Sequence, residues 1–368
     1  MRGRSSMTNV ARVEVSRGAL LQNIAAFRRV AGPGVMLSAA IKANGYGHGL
    51  EEVARCIEGD IDAFQVDDLS ELRRLRTISK GRAMVLGYVA DEDVAETVGL
   101  GGELALYDPE QIPALRAAGA RVHLKIDTGF GRLGVGMDSL ESFVHSVERA
   151  RIEVTGVYSH LACAKTPNDP EGSQSVDDQL RAFEGVAAYV RDCFPDAIRH
   201  LSNTAGAMAD LPTFDLQRLG IGIYGESPTP DLESFVRPSL RWVSCLAQVK
   251  PVKKGGSVGY DRTFIAPEDM ILGLVPQGYS DGYSRMLSNV GEVLVDGVRC
   301  RVVGRVSMNM LAIDLSNVPN PQRAAEVVLI GAQGDDAIRP EQLAGLSQTN
   351  LYEVLTSISP ALPRVIVE

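Results

Sequence analysis

Across residues 12–224 short apolar runs alternate with longer helix-like stretches, and no other feature of the chain constrains its fold as much. The runs are 35–41, 61–66, 83–88, 103–106, 121–126, 153–159, 197–201 and 218–224. Each reads as a short strand buried in a parallel sheet. Amphipathic stretches such as 19–30, 69–77, 109–118, 140–149 and 177–190 lie between them. Eight strands and seven intervening helical segments in roughly 210 residues are what a (β/α)8 barrel of the TIM type needs. A doubly wound open sheet satisfies the same count.

Beyond about residue 238 the pattern changes. Runs 240–249, 256–264, 270–275, 291–295, 298–305, 311–314 and 326–330 follow one another without long helices, and Gly, Pro and Asp punctuate them as turns require. The chain is therefore expected to divide into an α/β barrel, 12–238, and a C-terminal mostly β domain, 239–368, that closes with a helix near 342–357. The strand-like stretch 10–15 fits either domain, and an N-terminal strand in residues 1–11 would join the C-terminal one. A length of 368 residues suits two domains, and 45% hydrophobic with 23% charged residues supplies a core without disulfides or structural metal.

Charge and cysteine usage exclude several classes. A net charge of −9 argues against a nucleic-acid surface, which needs a basic patch. Cys56, Cys163, Cys193, Cys245 and Cys300 are scattered, with no C-x-x-C pair, so they read as reduced thiols and not as a disulfide framework or metal site. The polar N-terminus has no apolar signal-peptide core, and no stretch reaches the length of a membrane span. A cytoplasmic protein without nucleic-acid, metal or membrane partners is expected.

In a barrel the chemistry sits where strands end. The first run is followed by Lys42-Ala43-Asn44-Gly45-Tyr46-Gly47-His48-Gly49. A lysine closing an apolar strand is partly desolvated and suited to Schiff-base chemistry. The Gly-rich turn behind it can offer backbone N–H groups, and Tyr46 a phenol, to an anion.

From Ala40 to Gly49 this segment resembles the pyridoxal phosphate (PLP) lysine motif of the alanine racemase family. The resemblance continues in order through Lys125-Ile126-Asp127-Thr128-Gly129-Phe130-Gly131-Arg132-Leu133-Gly134, Ser159-His160-Leu161-Ala162, Ser202-Asn203-Thr204-Ala205 and Arg218-Leu219-Gly220-Ile221-Gly222-Ile223-Tyr224-Gly225. It extends over Val258-Gly259-Tyr260, Gly278-Tyr279-Ser280-Asp281-Gly282, Gly304-Arg305-Val306-Ser307-Met308 and Leu351-Tyr352-Glu353. It implies a PLP-binding barrel plus a β domain, working as a homodimer that racemises alanine and supplies D-alanine as a cell-wall precursor.

The same resemblance assigns roles. Lys42 would hold PLP and move a proton at one face of the substrate Cα. Tyr260, contributed by the partner subunit, would serve the opposite face; a phenol is a weak acid, so its pocket has to favour the ionised form. Arg218 would face the PLP ring nitrogen. Protonating a nitrogen ~4 Å from a guanidinium costs roughly 4 kcal/mol at an effective dielectric of 20, so the ring stays neutral. Tyr46, Thr204, Gly220, Ile221 and Tyr352 match the phosphate cup, with Thr204 where Ser is usual, and His160 and Asn203 match cofactor-supporting positions. Arg132 would bridge cofactor and substrate carboxylate, Met308 would offer a backbone N–H, and Tyr279 would line the substrate's path. Lys125 matches a lysine that some members carry as a carbamate.

Gly129-Phe130-Gly131-Arg132-Leu133-Gly134 also satisfies G-x-G-x-x-G, but the helix that a dinucleotide fingerprint needs is delayed and the strand-end acid is missing. A non-racemising PLP carrier of the single-barrel family would lack the β domain. Barrel-plus-β decarboxylases use a glycine-rich phosphate loop and a β-domain cysteine with no counterpart here. Two positions depart from the family pattern: Asn309 stands where Asp is usual, and Asp261 where Gly is frequent. They leave open a racemase that accepts serine or another small amino acid besides alanine.

Overall fold

In a computed structural model, residues 10–166, 168–209, 211–227 and 235–368 are described. The chain forms two compact units. One comprises Gly18–Gly45 and Val53–Arg237; the other gathers the N-terminal stretch through Arg17, Tyr46–Glu52 and Pro238–Glu368.

The first unit is a nearly closed parallel barrel. In order round the sheet its strands are Leu216–Leu219, Met36–Ala40, Ala63–Val66, Ala83–Val85, Gly102–Leu106, Arg121–Asp127, Glu153–Tyr158 and Ile198–His200. Pairing of Leu216–Leu219 with Met36–Ala40 places the last strand beside the first, which rules out the open sheet. Backbone bonds from Asp215 N to Arg199 O and from Arg218 N to Ser202 O, both 3.0 Å, bridge the remaining seam. Outward residues such as Val122, Leu124 and Ile126 are apolar and buried, whereas His123 and Lys125 alternate with them and are buried too.

Two barrel segments differ from the sequence expectation. Run 218–224 is a strand only to Leu219; Ile221–Tyr224 form a buried 3-10 turn, because the Thr204 hydroxyl accepts from the N–H groups of Gly220 (3.0 Å) and Gly222 (3.3 Å). The helix expected from 177 begins at Pro170, where Asp169 caps it by accepting from Gly172 N at 2.9 Å.

The second unit is mostly β. Residues 1–9 of the N-terminal strand expected in 1–11 lie outside the described residues; strand Arg12–Ser16 lies in this unit, antiparallel to Leu240–Cys245 and parallel to Arg364–Val367, with every second residue buried. Glu326–Gln333, Glu292–Val295 and Val298–Arg301 extend that sheet, and Gln248–Val252, Met270–Val275 and Leu311–Asp314 form a second one. Run 256–264 is not one strand: it breaks at Tyr260–Arg262, where Asp261 and Arg262 have positive φ. The closing helix is two helices, Pro340–Ser347 and Leu351–Thr356, divided at Gln348 (φ 57°) and restarted by the Asn350 cap. No helix among the described residues is long and apolar enough to cross a membrane.

Candidate active site

Lys42 follows the first barrel strand and opens a turn of unusual hand. Ala43, Asn44 and Gly45 have φ of 51°, 55° and 60°, and Tyr46 follows at 51°. Such a left-handed run costs L-residues ~1–2 kcal/mol each, so something has to hold it. The following strand and helix do so. Glu71 accepts from Ala43 N (2.7 Å) with one carboxylate oxygen and from Asp67 N (2.8 Å) with the other. Arg74 donates to Asn44 Oδ1 at 2.8 Å, and Lys42 Nζ reaches Asp67 Oδ1 at 2.8 Å. None of Asp67, Glu71 and Arg74 is visible as a site residue in the sequence.

A group of cations surrounds this end of the barrel. Lys125, Arg132 and His160 line one cavity with Asp127 and Phe130. Lys125 is 6% exposed; burial, reinforced by Arg132, Arg218 and Lys42, lowers its amine to about 8. Its Nζ sits over the Tyr158 ring, 5.5 Å from the centroid. The Arg132 guanidinium lies 4.3 Å over Phe130, whose ring meets His160 edge-on. Burial first, then the neighbouring Arg218, Arg132, Lys125 and Lys42, hold His160 well below its ordinary value and therefore neutral. Asp127 is committed to the backbone, accepting from Gly129, Phe130 and Gly131. Among the described residues, neither Lys125, Arg132 nor Arg218 pairs directly with a carboxylate.

Arg218 is 4% exposed, and burial lowers it to about 10. Its Nη1 donates to His200 Nδ1 (3.0 Å) and His200 O (2.8 Å), and its Nη2 to Ser159 O (2.6 Å) and Leu201 O (2.9 Å). A guanidinium has five N–H groups. The fifth, on Nε, has no hydrogen-bond partner among the described residues. His200 was not singled out by sequence, yet it is the hub of this arrangement.

Gly220 and Ile221 open the 3-10 turn that Thr204 organises. Asn203 spends its side chain on structure, capping Thr204–Met208 by accepting from Gly206 N at 3.0 Å.

The remaining expected residues belong to the second unit. Tyr46 and Tyr352 are neighbours there, with ring centroids 6.2 Å apart. The adjoining Gly47 (φ 84°) is fixed by the Arg364 guanidinium donating to its carbonyl, and an added Cβ would fall 2.0 Å from Leu355 O. Tyr260 is 67% exposed on its tight turn. Asp261, beside it, pairs with Arg305 at 2.7 Å, not with Arg262. Tyr279 and Met308 are exposed on adjacent loops: Tyr279 N donates to Ser307 O (3.1 Å) and Ser280 N to Met308 O (2.9 Å). Asn309 Nδ2 donates to Ser280 Oγ (2.7 Å), whose hydroxyl donates to Met308 O (2.8 Å). An aspartate could not begin that donor chain, so Asn309 serves the Met308 loop as a donor.

Comparison with known proteins places these residues in context. Residues 15–228 match the family model described as alanine racemase, N-terminal domain, and residues 239–366 the one described as alanine racemase, C-terminal domain. The chain is 37% identical over 366 residues to an alanine racemase of Geobacter sulfurreducens, covering 96% of both chains. It is 36% identical to that of Symbiobacterium thermophilum, covering 95% of both. Among solved structures, alanine racemase from Streptomyces coelicolor superposes with a TM-score of 0.89 at 35% identity, covering 97% of this chain and 98% of that one.

Proposed function

This chain belongs to the alanine racemase family, and from that premise we propose how its own residues interconvert L- and D-alanine. The family works with PLP, and the barrel end fits that group. Among the described residues its Lys125, Arg132 and Arg218 lack carboxylate partners, which suits a phosphate and a phenolate. Arg218 has one uncommitted donor, Nε–H, which suits a neutral pyridine nitrogen. When bound, PLP would draw electrons from the substrate Cα and so acidify its hydrogen.

Lys42 carries the cofactor through Nζ, and its position after the first strand lets the same nitrogen take or return the Cα proton. Arg218, as a fixed cation, would oppose protonation of the ring nitrogen of a bound PLP. The Thr204 hydroxyl and the Ile221 N–H, on the turn that Gly220 opens, would bind phosphate together with the phenols of Tyr46 and Tyr352; His160 and Asn203 would support the ring and its loop. Arg132 and the Met308 backbone orient the alanine carboxylate, and Tyr279 lines the substrate's path. Tyr260 handles the proton on the opposite face. We read the working form as a homodimer in which Tyr260 comes from the partner subunit. The single observation that carries this reading is the unpaired cationic cluster at the end of the barrel that also presents Lys42.

Incubation with PLP and L-alanine in deuterium oxide tests it. Deuterium should enter Cα while optical rotation decays to zero, and borohydride reduction should leave the pyridoxyl label on Lys42. Exchange without loss of rotation, or a label on another lysine, would refute the assignment.

A further inference from the structure

Behind Arg218 the barrel interior holds an unbroken line of buried polar groups. Arg218 Nη1 contacts His200 Nδ1 at 3.0 Å, His200 Nε2 contacts His123 Nδ1 at 2.9 Å, and His123 Nε2 contacts Glu103 Oε2 at 2.7 Å. The four residues are 4%, 0%, 1% and 1% exposed in that order. They come from four different strands, so only the closed barrel assembles them.

The two ends fix the direction of every hydrogen bond. A guanidinium can only donate and an ionised carboxylate can only accept. His200 therefore turns a lone pair to Arg218 from Nδ1 and carries its proton on Nε2. That proton goes to His123 Nδ1, and the His123 Nε2 proton goes to Glu103. Burial, above all, holds both imidazoles below their ordinary values and hence neutral. Burial alone would raise the Glu103 carboxyl, but hydrogen bonds from His123 and Arg82 hold it at about 2. The rings have little freedom. Tyr158 stacks on His200 at 4.8 Å and 6°, and Gly156 backs so closely on His123 that a Cβ there would lie 2.2 Å from Nδ1.

We propose that Glu103 is a positioning residue for Arg218: through His123 and His200 it fixes the tautomer that holds the guanidinium, and so aims its remaining Nε–H at the cofactor ring. The proposal rests on the reading above that Arg218 faces that ring. Glu103 is suited to the task because its two oxygens are not equivalent. Oε1 takes Arg82 Nε (2.9 Å) and Arg121 Nη2 (3.0 Å), while Oε2 takes His123, Arg82 Nη2 (2.8 Å) and the Thr155 hydroxyl (3.2 Å).

Glu103→Gln tests this chain of donors. Two arginine nitrogens meet Oε1 and only one meets Oε2, so the amide carbonyl takes the Oε1 place and the NH2 turns to His123. His123 must then accept at Nε2, its proton moves to Nδ1, and His200 in turn presents Nδ1–H to a group that also only donates. The experiment is 15N spectroscopy of the imidazoles in selectively labelled protein without PLP, followed by PLP titration read by absorbance. Wild type should show His123 and His200 neutral with the proton on Nε2. Glu103→Gln should move both to Nδ1 and weaken PLP half-saturation roughly ten- to a hundredfold, the scale of one lost hydrogen bond to a charged group. Glu103→Asp, which keeps the carboxylate, should retain the wild-type tautomers.

An Nδ1–H signal for either histidine in wild type overturns the proposal, and that measurement needs no variant to fold. Inverted tautomers with unchanged PLP affinity and spectrum also overturn it, because the line would then be structural only. Wild-type protein that shows the expected tautomers but takes up no PLP at all refutes the functional reading instead.

Discussion

Lys125 shows how much a single residue can be altered by its surroundings. Its ammonium is buried beside Arg132, Arg218 and Lys42, and only Asp127 favours its charge. The charged form therefore opposes folding. The penalty is complete below about 8, where the amine is protonated folded or unfolded. It falls away as pH rises from there toward the unfolded value of 10.5. Its full size is on the order of 3 kcal/mol. An amine unprotonated this easily is also a nucleophile for carbon dioxide, and the carbamate formed would be an anion among those three cations. We expect protein equilibrated with 13C-bicarbonate to show one carbamate carbon resonance, growing as pH approaches 9, that Lys125→Met abolishes. In bicarbonate-free buffer Lys125→Met should melt higher than wild type at pH 7, and the gap should narrow by pH 9.5. No resonance and a constant gap would mean that Lys125 is neither modified nor strained.

At the scale of elements, the turn after the first strand and the helix Leu69–Arg76 form one device. Lys42 and its Gly-rich turn were legible in the sequence because a lysine ending an apolar run is a local signal. The clamp was not: Glu71 lies 28 residues from Ala43, and only the pairing of Met36–Ala40 with Ala63–Val66 brings the two together. Glu103, His123 and His200 escaped for a related reason, since a polar residue inside an apolar run looks like an interruption until the barrel closes. Run 218–224 reads as one strand in the sequence because an apolar stretch of that length suits a strand or a buried turn equally. The runs at 270–275 and 311–314, by contrast, coincide with strands, since each lies between turn residues. Glu71→Gln should leave the fold intact but lose one of the two amide contacts. With the left-handed turn less firmly held, covalent PLP uptake by Lys42 should slow roughly tenfold, a charged hydrogen bond's worth. Stopped-flow absorbance after mixing with PLP measures this, and unchanged uptake would show that the turn holds itself.

For the molecule as a whole, the chain's path between its two units bears directly on function. Lys42 belongs to the barrel unit, yet four residues later Tyr46 belongs to the β unit, where Arg364 and Leu355 fix Gly47 and Tyr352 lies beside Tyr46. Tyr260 is in that β unit, on a turn whose exposure and positive-φ residues present the phenol outward. A side chain held out in this way at a cost in backbone strain is consistent with the proposed dimer, in which a partner surface would receive it. If Lys42 of one subunit works with Tyr260 of the partner subunit, defects in the two should complement. Lys42→Ala and Tyr260→Phe homodimers should each lose nearly all racemisation. After subunit exchange, half the molecules in an equal mixture become hybrids, and each hybrid contains one site with both residues intact and one with neither. Activity should therefore return to about a quarter of the wild-type rate per total site, the statistical limit for random exchange of two-subunit proteins. Differently tagged chains, co-purified after mixing, establish that exchange has taken place. Hybrids that form and remain inactive would place Lys42 and Tyr260 of the same chain in one site, and Tyr260 would then have to reach the cofactor without a partner.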